Sequence, residues 1–241
     1  MDKVNSKTGD NPFPYLNETE FFKFPSVSNA SPEGIVGIEG NLSPGMLLSA
    51  YKQGIFPWYS KGEPIMWWSP DPRMVLFPEN VHISKSMQRI FTRGNFTFTI
   101  DNNFKEVIDS CGSISRKDED GTWITSDMKD AYIYLHELGW GHSLEVWEDN
   151  ELVGGLYGLS IGSVFFGESM FSRKTNASKA AFIVLAQTLG KLGFSMIDCQ
   201  LYTSHLESLG AEKIDRKVYL ELLKKGLEAE TYRGNWHTML E

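Results

Sequence analysis

Cysteine is scarce in this chain, and the spacing of the two residues present excludes several kinds of site. Only Cys111 and Cys199 occur among the 241 residues, and no CxxC or Cys/His ligand spacing is found. A structural zinc site needs about four such ligands at short intervals. Two isolated cysteines suit a reducing cytosol. We therefore predict no metal site and a cytoplasmic protein.

Long apolar runs and common enzyme motifs are also missing. The longest purely apolar run covers residues 180–186, which is too short to span a bilayer. The first ten residues are polar and lack the apolar segment of a secretion signal. His136 and Glu137 begin no HExxH metalloprotease motif, and neither G-x-S-x-G nor a P-loop occurs. We expect no membrane association.

Positive charge is in deficit, because 23 Lys and Arg residues stand against 31 Asp and Glu residues, for a formal net charge of −8. Any nucleic-acid contact therefore requires a local basic patch. A helix predicted over residues 83–92 offers one, since its basic residues fall within an arc of about 80°. We expect this arc either to contact phosphate or to be an ordinary solvated face. We call it the basic stripe, and it consists of His82, Lys85, Arg89 and Arg93.

The regular part of the chain alternates helical and strand-like segments. Residues 143–148, 152–159 and 163–167 have the composition of three antiparallel strands separated by turn residues. Helical patterns precede and follow them. This order favours an α+β fold with a mixed sheet.

The N-terminal third has a different character. Residues 55–73 contain four prolines and three tryptophans, so we predict an irregular surface there and not a regular helix or central strand. We expect a small N-terminal domain over residues 1–73, in which residues 1–23 form a poorly ordered arm. A larger domain with regular secondary structure is then expected over residues 74–241.

Tryptophans on irregular backbone are candidates for stacking on unpaired bases. Trp58, Trp67, Trp68 and Trp123 lie in Pro-, Gly- or Thr-rich surroundings and not in periodic apolar runs. Packing in a core or between domains is the alternative, and for any single tryptophan it is the commoner role.

Two carboxylates lie where predicted strands end. Asp198 and Gln200 share one face of a strand, because side chains alternate with a period of two. A carboxylate beside an amide can orient an amine and its proton, and a turn-capping Asp is the alternative. Glu168 follows the third strand of the predicted meander and is expected either in a cleft or in solvent.

Eight short segments, in this order, resemble those of one enzyme family. They are residues 54–58 (GIFPW), 67–73 (WWSPDPR), 121–125 (GTWIT), 145–147 (EVW), 152–155 (LVGG), 167–173 (GESMFSR), 176–179 (NASK) and 197–200 (IDCQ). The set is similar to the leucyl/phenylalanyl-tRNA–protein transferase family. The resemblance implies a small N-terminal domain over residues 1–73, followed by an N-acetyltransferase-like catalytic domain over residues 74–241.

The implied reaction moves Leu or Phe, with Met as a third candidate, from aminoacyl-tRNA to proteins that begin with Lys or Arg. The product is marked for degradation by the N-degron pathway. An aminoacyl ester is already activated, so we predict no metal and no cofactor. We also expect a monomer.

The resemblance also implies roles for individual residues. Trp58 and Trp123 correspond to the aromatics that hold the terminal adenosine, and Tyr132 corresponds to a nearby contact. Asp198 and Gln200 correspond to the pair at the reacting amine, with Asp198 expected to take its proton either directly or with help from the ribose hydroxyl of the substrate. Glu168 corresponds to a carboxylate in the cleft. Lys85, Arg89 and Arg93 are expected to contact tRNA.

The pocket for the transferred side chain maps to Leu156, Phe165 and Leu185, although an aromatic would be expected at position 185. Two alternative functions remain open. One is another acyltransferase, using coenzyme A or building cell-wall peptide bridges. Residues 173–178 lack the glycines of a coenzyme A pyrophosphate loop. The other is a non-catalytic protein that binds RNA ends.

Overall fold

The computed structural model describes residues 13–113 and 124–239. The strands are β1 (Ile35–Ile38), β2 (Phe56–Pro57), β3 (Met66–Trp68), β4 (Arg73–Leu76), β5 (Thr97–Ile100), β6 (Gly141–Glu148), β7 (Glu151–Ile161), β8 (Val164–Ser172), β9 (Met196–Gln200) and β10 (Glu212–Ile214). The α-helices are α1 (Pro44–Lys52), α2 (Lys85–Arg93), α3 (Phe104–Ser113), α4 (Ser126–Glu137), α5 (Ala177–Lys191), α6 (Ser204–Glu207) and α7 (Arg216–Gly226). Within these two stretches, no helix combines the length and apolar character needed to cross a bilayer.

A three-stranded antiparallel sheet, in the order β1-β3-β2, forms the N-terminal part. The prediction of an irregular surface over residues 55–73 is therefore wrong in part, since β2, β3 and the start of β4 lie within it. The strands are short, and the prolines fall at their ends or between them, so no ladder hydrogen bond inside β3 is lost.

Part of the predicted arm is also ordered. Residues 13–23 lie against α1, where the Leu16 amide donates to Ser43 Oγ at 3.1 Å and Leu16 O accepts from the Gly45 amide at 3.0 Å. Gly45 is needed at this crossing, because an added Cβ would lie 2.3 Å from Asn17 O. Residues 1–12 lie outside the described residues.

The larger sheet has seven strands in the order β10-β4-β9-β8-β7-β6-β5. Its pairs are antiparallel except β8 and β9, which are parallel. This confirms the α+β class with a mixed sheet and the predicted antiparallel meander. Arg73, the last residue of the predicted N-terminal domain, is already the first residue of β4.

Alternate side chains of the large sheet enter two apolar cores. Tyr157 and Phe166 pack on one face with α3 and α4, and Leu156 and Phe165 pack on the other face with α5. This is the alternation that strand geometry imposes. One face therefore carries apolar side chains that pack on α5, and the other carries side chains with buried hydroxyl groups.

Pairing between β8 and β9 stops where the site begins. The last paired residues are Phe166 and Asp198, but β8 continues to Ser172. On its other side, β9 remains paired with β4 as far as Gln200. The two parallel strands therefore separate and leave a gap between them.

The C-terminal segment, which we define as residues 227–239, lies against the body. The Gly162 amide donates to Thr231 Oγ1 at 2.8 Å, and Arg233 Nη2 donates to Glu18 Oε2 at 2.7 Å. The Trp236 amide donates to Asp101 Oδ2 at 2.9 Å, and the Trp236 side chain is buried. The segment is thus fixed along its length by contacts with three separate parts of the fold.

Candidate active site

A pocket of about 650 Å³ occupies the gap between β8 and β9. Its walls come from the end of β2, from β7, from α5 and from the residues that follow β9. The lining includes six of the residues predicted from the sequence, namely Trp58, Leu156, Phe165, Glu168, Leu185 and Gln200. Residues separated by more than 140 positions in sequence therefore meet in one cavity.

One part of the pocket is apolar. Leu156 on β7 and Phe165 on β8 share the sheet face that packs on α5, from which Leu185 projects. Phe182 and Met170 add to the same walls. These walls offer no charged partner, so this region suits an uncharged, apolar side chain.

An aromatic side chain from the N-terminal part of the chain also lines the pocket. Trp58 is half-buried and lines the pocket, and its ring centroid is 5.4 Å from that of Trp68 at an interplanar angle of 58°. The Trp58 backbone is fixed on both sides, because its amide donates to Met66 O at 2.9 Å and its carbonyl accepts from Trp68 Nε1 at 2.7 Å. Trp123 lies outside the described residues.

Glu168 is a buried carboxyl group at the edge of the pocket. It accepts hydrogen bonds from Tyr51 at 2.7 Å, Tyr132 at 3.0 Å and Gln200 Nε2 at 2.9 Å. Burial raises the pKa of Glu168 from its usual 4.5 to about 7, although the three donors act in the opposite direction. A carboxyl group with this pKa can exchange a proton near neutral pH.

The two tyrosines lie behind Glu168 and not on the pocket wall. Both are buried, and their hydroxyl groups also contact each other. Burial raises the pKa of Tyr51 and of Tyr132 well above the usual value, so both remain protonated donors. Tyr132 was predicted as a substrate contact and reaches the site through Glu168. Tyr51 was missed, because nothing in the pattern of α1 separates it from an ordinary core tyrosine.

Asp198 is more deeply buried than Glu168 and Gln200 and does not line the pocket. Its carboxylate is fully buried and is held by Arg73 Nε at 2.8 Å and Nη2 at 2.7 Å. The Tyr219 hydroxyl donates to it at 2.7 Å, and so does the Gln200 amide at 2.9 Å. Because these donors already bind both carboxylate oxygens, the arrangement fixes the orientation of the Asp198 carboxylate and holds Gln200 in place.

Gln200 is the residue that connects the two carboxyl groups. Its backbone binds Asp198, its side chain binds Glu168, and its φ of 62° lies in the left-handed region. Residues other than glycine rarely adopt this conformation, and they do so where the surrounding structure holds them. The side chain is directed into the pocket by these three constraints.

The basic stripe lies away from this pocket. Lys85, Arg89 and Arg93 are exposed along α2, which begins after the N-cap Ser84. His82 precedes the helix and is also exposed. The structure does not bring these residues to the cavity wall, so any contact they make with a ligand is with a part remote from the reacting atoms.

Solved structures resemble the chain distantly. The structure of L-PGS from Bacillus licheniformis aligns with a TM-score of 0.39 and 14% identity, over 66% of each chain. A GCN5-related N-acetyltransferase from Kribbella flavida aligns with a TM-score of 0.37 and 11% identity, over 71% of this chain and 61% of its own.

Sequence similarity is much stronger. The family model described as leucyl/phenylalanyl-tRNA protein transferase matches residues 75–224, and the model of that transferase's N-terminal domain matches residues 40–71. A leucyl/phenylalanyl-tRNA–protein transferase of Syntrophus aciditrophicus is 55% identical, over 89% of this chain and 90% of its own. Another, from Flavobacterium johnsoniae, is 54% identical over 83% and 95%. The chain therefore belongs to the leucyl/phenylalanyl-tRNA–protein transferase family, and it is an aminoacyltransferase.

Proposed function

We propose that this enzyme transfers Leu or Phe, with Met as a third donor, to cytoplasmic proteins that begin with Lys or Arg and so marks them for degradation by the N-degron pathway. It acts as a monomer and needs no cofactor. The observation that carries the proposal is the pocket itself, in which apolar walls lie beside a carboxyl group whose pKa is about 7.

The proposed nucleophile is the free α-amine of the acceptor. Its unperturbed pKa of about 7.7–8.0 leaves a minor neutral fraction at neutral pH. The amine nitrogen attacks the ester carbonyl, a C–N bond forms, and the bond from the carbonyl carbon to the ribose oxygen breaks. The amine loses one proton, and the ribose oxygen leaves as a hydroxyl group after gaining one.

Glu168 is the group we assign to this proton transfer. As a carboxylate it accepts the proton of the amine, and as an acid it can return one to the leaving oxygen. Gln200 orients the amine, because its side chain is already fixed against Glu168. Asp198, expected from the sequence to act as the base, is instead assigned a positioning role through Gln200.

The remaining pocket residues bind the donor. Leu156, Phe165 and Leu185 surround the transferred side chain, and their burial removes water from around it. Trp58, together with Trp123, holds the terminal adenosine by stacking. Excess acidic residues favour the approach of an acceptor whose first residue is cationic.

A direct assay tests the proposed reaction. The enzyme is mixed with Phe-tRNA labelled in the amino acid and with a peptide that begins with Arg, and the labelled peptide is measured. A peptide of the same sequence that begins with Gly is the acceptor control. Labelling of the Arg peptide alone is expected. Absence of label with both peptides would refute transfer, and equal labelling would refute the acceptor preference.

Stacking at Trp58 predicts a loss of donor affinity without a loss of fold. Trp58→Ala should weaken binding of aminoacyl-adenosine by about 1–3 kcal/mol, the usual range for base–aromatic stacking. Trp58→Phe should recover much of it, because a flat aromatic face remains. The matched control is Trp67→Ala, since Trp67 is buried and its removal should cost about 3–5 kcal/mol of stability. A large drop in melting temperature for Trp58→Ala, with unchanged affinity, would assign this residue to packing.

The basic stripe predicts a salt-dependent effect that requires the tRNA body. Changing Lys85 and Arg89 to Glu should weaken binding of charged tRNA and flatten its salt dependence, because phosphate contacts release counterions. Binding of aminoacyl-adenosine should change little. The same reversal at Lys217 and Lys224, exposed on α7, controls for overall charge. An equal loss of tRNA affinity in both pairs would leave the stripe without a specific role.

A further inference from the structure

A tryptophan of the C-terminal segment lies directly behind the pocket wall. The Trp236 ring is stacked on His142, with centroids 3.6 Å apart and planes at 13°. The centroid of the same ring lies 5.9 Å from the ring centroid of Phe194 and 6.4 Å from that of Phe165. Phe165 lines the pocket, so Trp236 contacts a residue of the pocket wall although it does not reach the cavity. The family model ends at residue 224 and does not include this segment.

Trp236 is held rigidly at both its backbone and its ring. Asp101 Oδ2 accepts from the Trp236 amide at 2.9 Å and from His142 Nδ1 at 2.8 Å, so one oxygen fixes both members of the stack. The other carboxylate oxygen accepts from the Ser143 amide at 2.9 Å. Asp101 itself has a φ of 56°, which a non-glycine residue adopts only when its surroundings hold it.

The Phe165 ring also packs closely against the neighbouring strand. An added Cβ at Gly158, on the neighbouring strand, would lie 2.6 Å from a Phe165 ring carbon. The ring therefore packs against bare backbone on that side and against Trp236 at its back. Movement of the ring away from the pocket requires space that Trp236 occupies.

We propose that Trp236 is a positioning residue for donor selection. By fixing the depth of Phe165, it sets the size of the aminoacyl side chain that the pocket accepts. The proposal rests on the proposed function, since it takes the Phe165 wall as the site of the transferred side chain. Removing Trp236 opens a space behind Phe165, into which the Phe165 ring can move. The pocket then becomes larger and fits a small aminoacyl side chain less closely.

The readout is the ratio of kcat/KM for Phe-tRNA to that for Leu-tRNA. For Trp236→Ala we expect this ratio to rise about tenfold, within the range by which apolar pockets discriminate side chains of different size. Trp236→Phe should give a smaller rise in the same direction. A general loss of structure lowers kcat/KM for both donors by the same factor and leaves the ratio unchanged.

Tyr232→Ala is the matched control. Tyr232 belongs to the same segment, and its ring packs on Phe194 with the centroids 5.9 Å apart. The Tyr232 carbonyl oxygen accepts a hydrogen bond from Trp236 Nε1 at 3.2 Å, and the substitution keeps this backbone atom. Its donor ratio should equal that of the wild type. Melting temperatures are measured on all variants, and Trp236→Phe provides the test if Trp236→Ala does not fold.

Phe165→Leu separates failure of this inference from failure of the proposed function. If Phe165→Leu leaves the donor ratio unchanged, the pocket assignment is wrong and the role of Trp236 falls with it. If Phe165→Leu changes the ratio but both Trp236 variants do not, Trp236 is only structural. A shift in Trp236→Ala and Trp236→Phe, absent in Tyr232→Ala, supports the inference.

Discussion

Replacing Glu168 by Gln should lower the rate of transfer by about 10²–10⁴-fold, the usual contribution of a positioned acid–base group. The substitution keeps the size of the side chain but removes the group that accepts the proton. Donor binding should change little, because the apolar walls and Trp58 remain. Single-turnover rates at saturating Phe-tRNA measure the effect. A rate within about threefold of wild type would exclude Glu168 as the base.

The pH profile identifies the titrating group independently. Glu168 acts as a base only when ionised, so kcat/KM should rise with pH through about 7, the pKa of this carboxyl group. The hydrogen bond from Tyr132 lowers that pKa, because it stabilises the carboxylate. Tyr132→Phe should therefore raise the pKa and move the rising limb to higher pH. A profile that keeps its position in Tyr132→Phe would assign the limb to another group.

Asp198→Ala should lower the free energy of unfolding by about 3–5 kcal/mol, the usual cost of breaking a buried ion pair. Asp198 and Arg73 form an ion pair at 2.7 Å in which both side chains are buried. Removing the carboxylate leaves the guanidinium charged and uncompensated in a medium of low dielectric constant. Urea denaturation at neutral pH measures the effect.

Two further variants distinguish the ion pair from direct catalysis. The double variant Arg73→Met/Asp198→Ala should regain much of the lost stability, because the unpaired charge is gone. Asp198→Asn keeps an oxygen that can accept from the Gln200 amide and should retain more transfer activity per folded molecule than Asp198→Ala. If Asp198→Ala instead stays as stable as the wild type but loses transfer by about 10²-fold or more, Asp198 acts directly on the amine.

Local patterns in the sequence predicted the elements whose signals lie close together. The helix predicted over residues 83–92 is observed as Lys85–Arg93 after the N-cap Ser84, and the strands of the meander show turn residues at each reversal. The strands β4 and β10 were not predicted. Each is only three or four residues long and forms through a partner distant in sequence, so no local signal marks it.

The apolar residues of the pocket, Leu156, Phe165 and Leu185, were predicted by resemblance to a family and not by periodicity. The separate positions of Asp198 and Gln200 required the structure. Both lie on one face of β9, yet Asp198 is bound by Arg73 outside the pocket lining and Gln200 lines the pocket. The burial of the Asp198 carboxylate is explained by its ion pair with Arg73, which is 125 positions away. Trp236 follows the last helix in a tail outside the family model, and its place behind Phe165 depends on Asp101 after β5 and His142 on β6.

The hydroxyl, carboxyl and amide groups around Glu168 come from four distant parts of the chain, with Tyr51 and Glu168 separated by 117 positions. Contacts of this range form late, since closing each long loop costs entropy before the contact contributes any stability. During synthesis, Tyr51 and Tyr132 emerge well before β9. A ribosome-bound chain that ends before Gln200 therefore lacks a complete proton-transfer site, and transfer activity should begin only after almost the whole protein has been made.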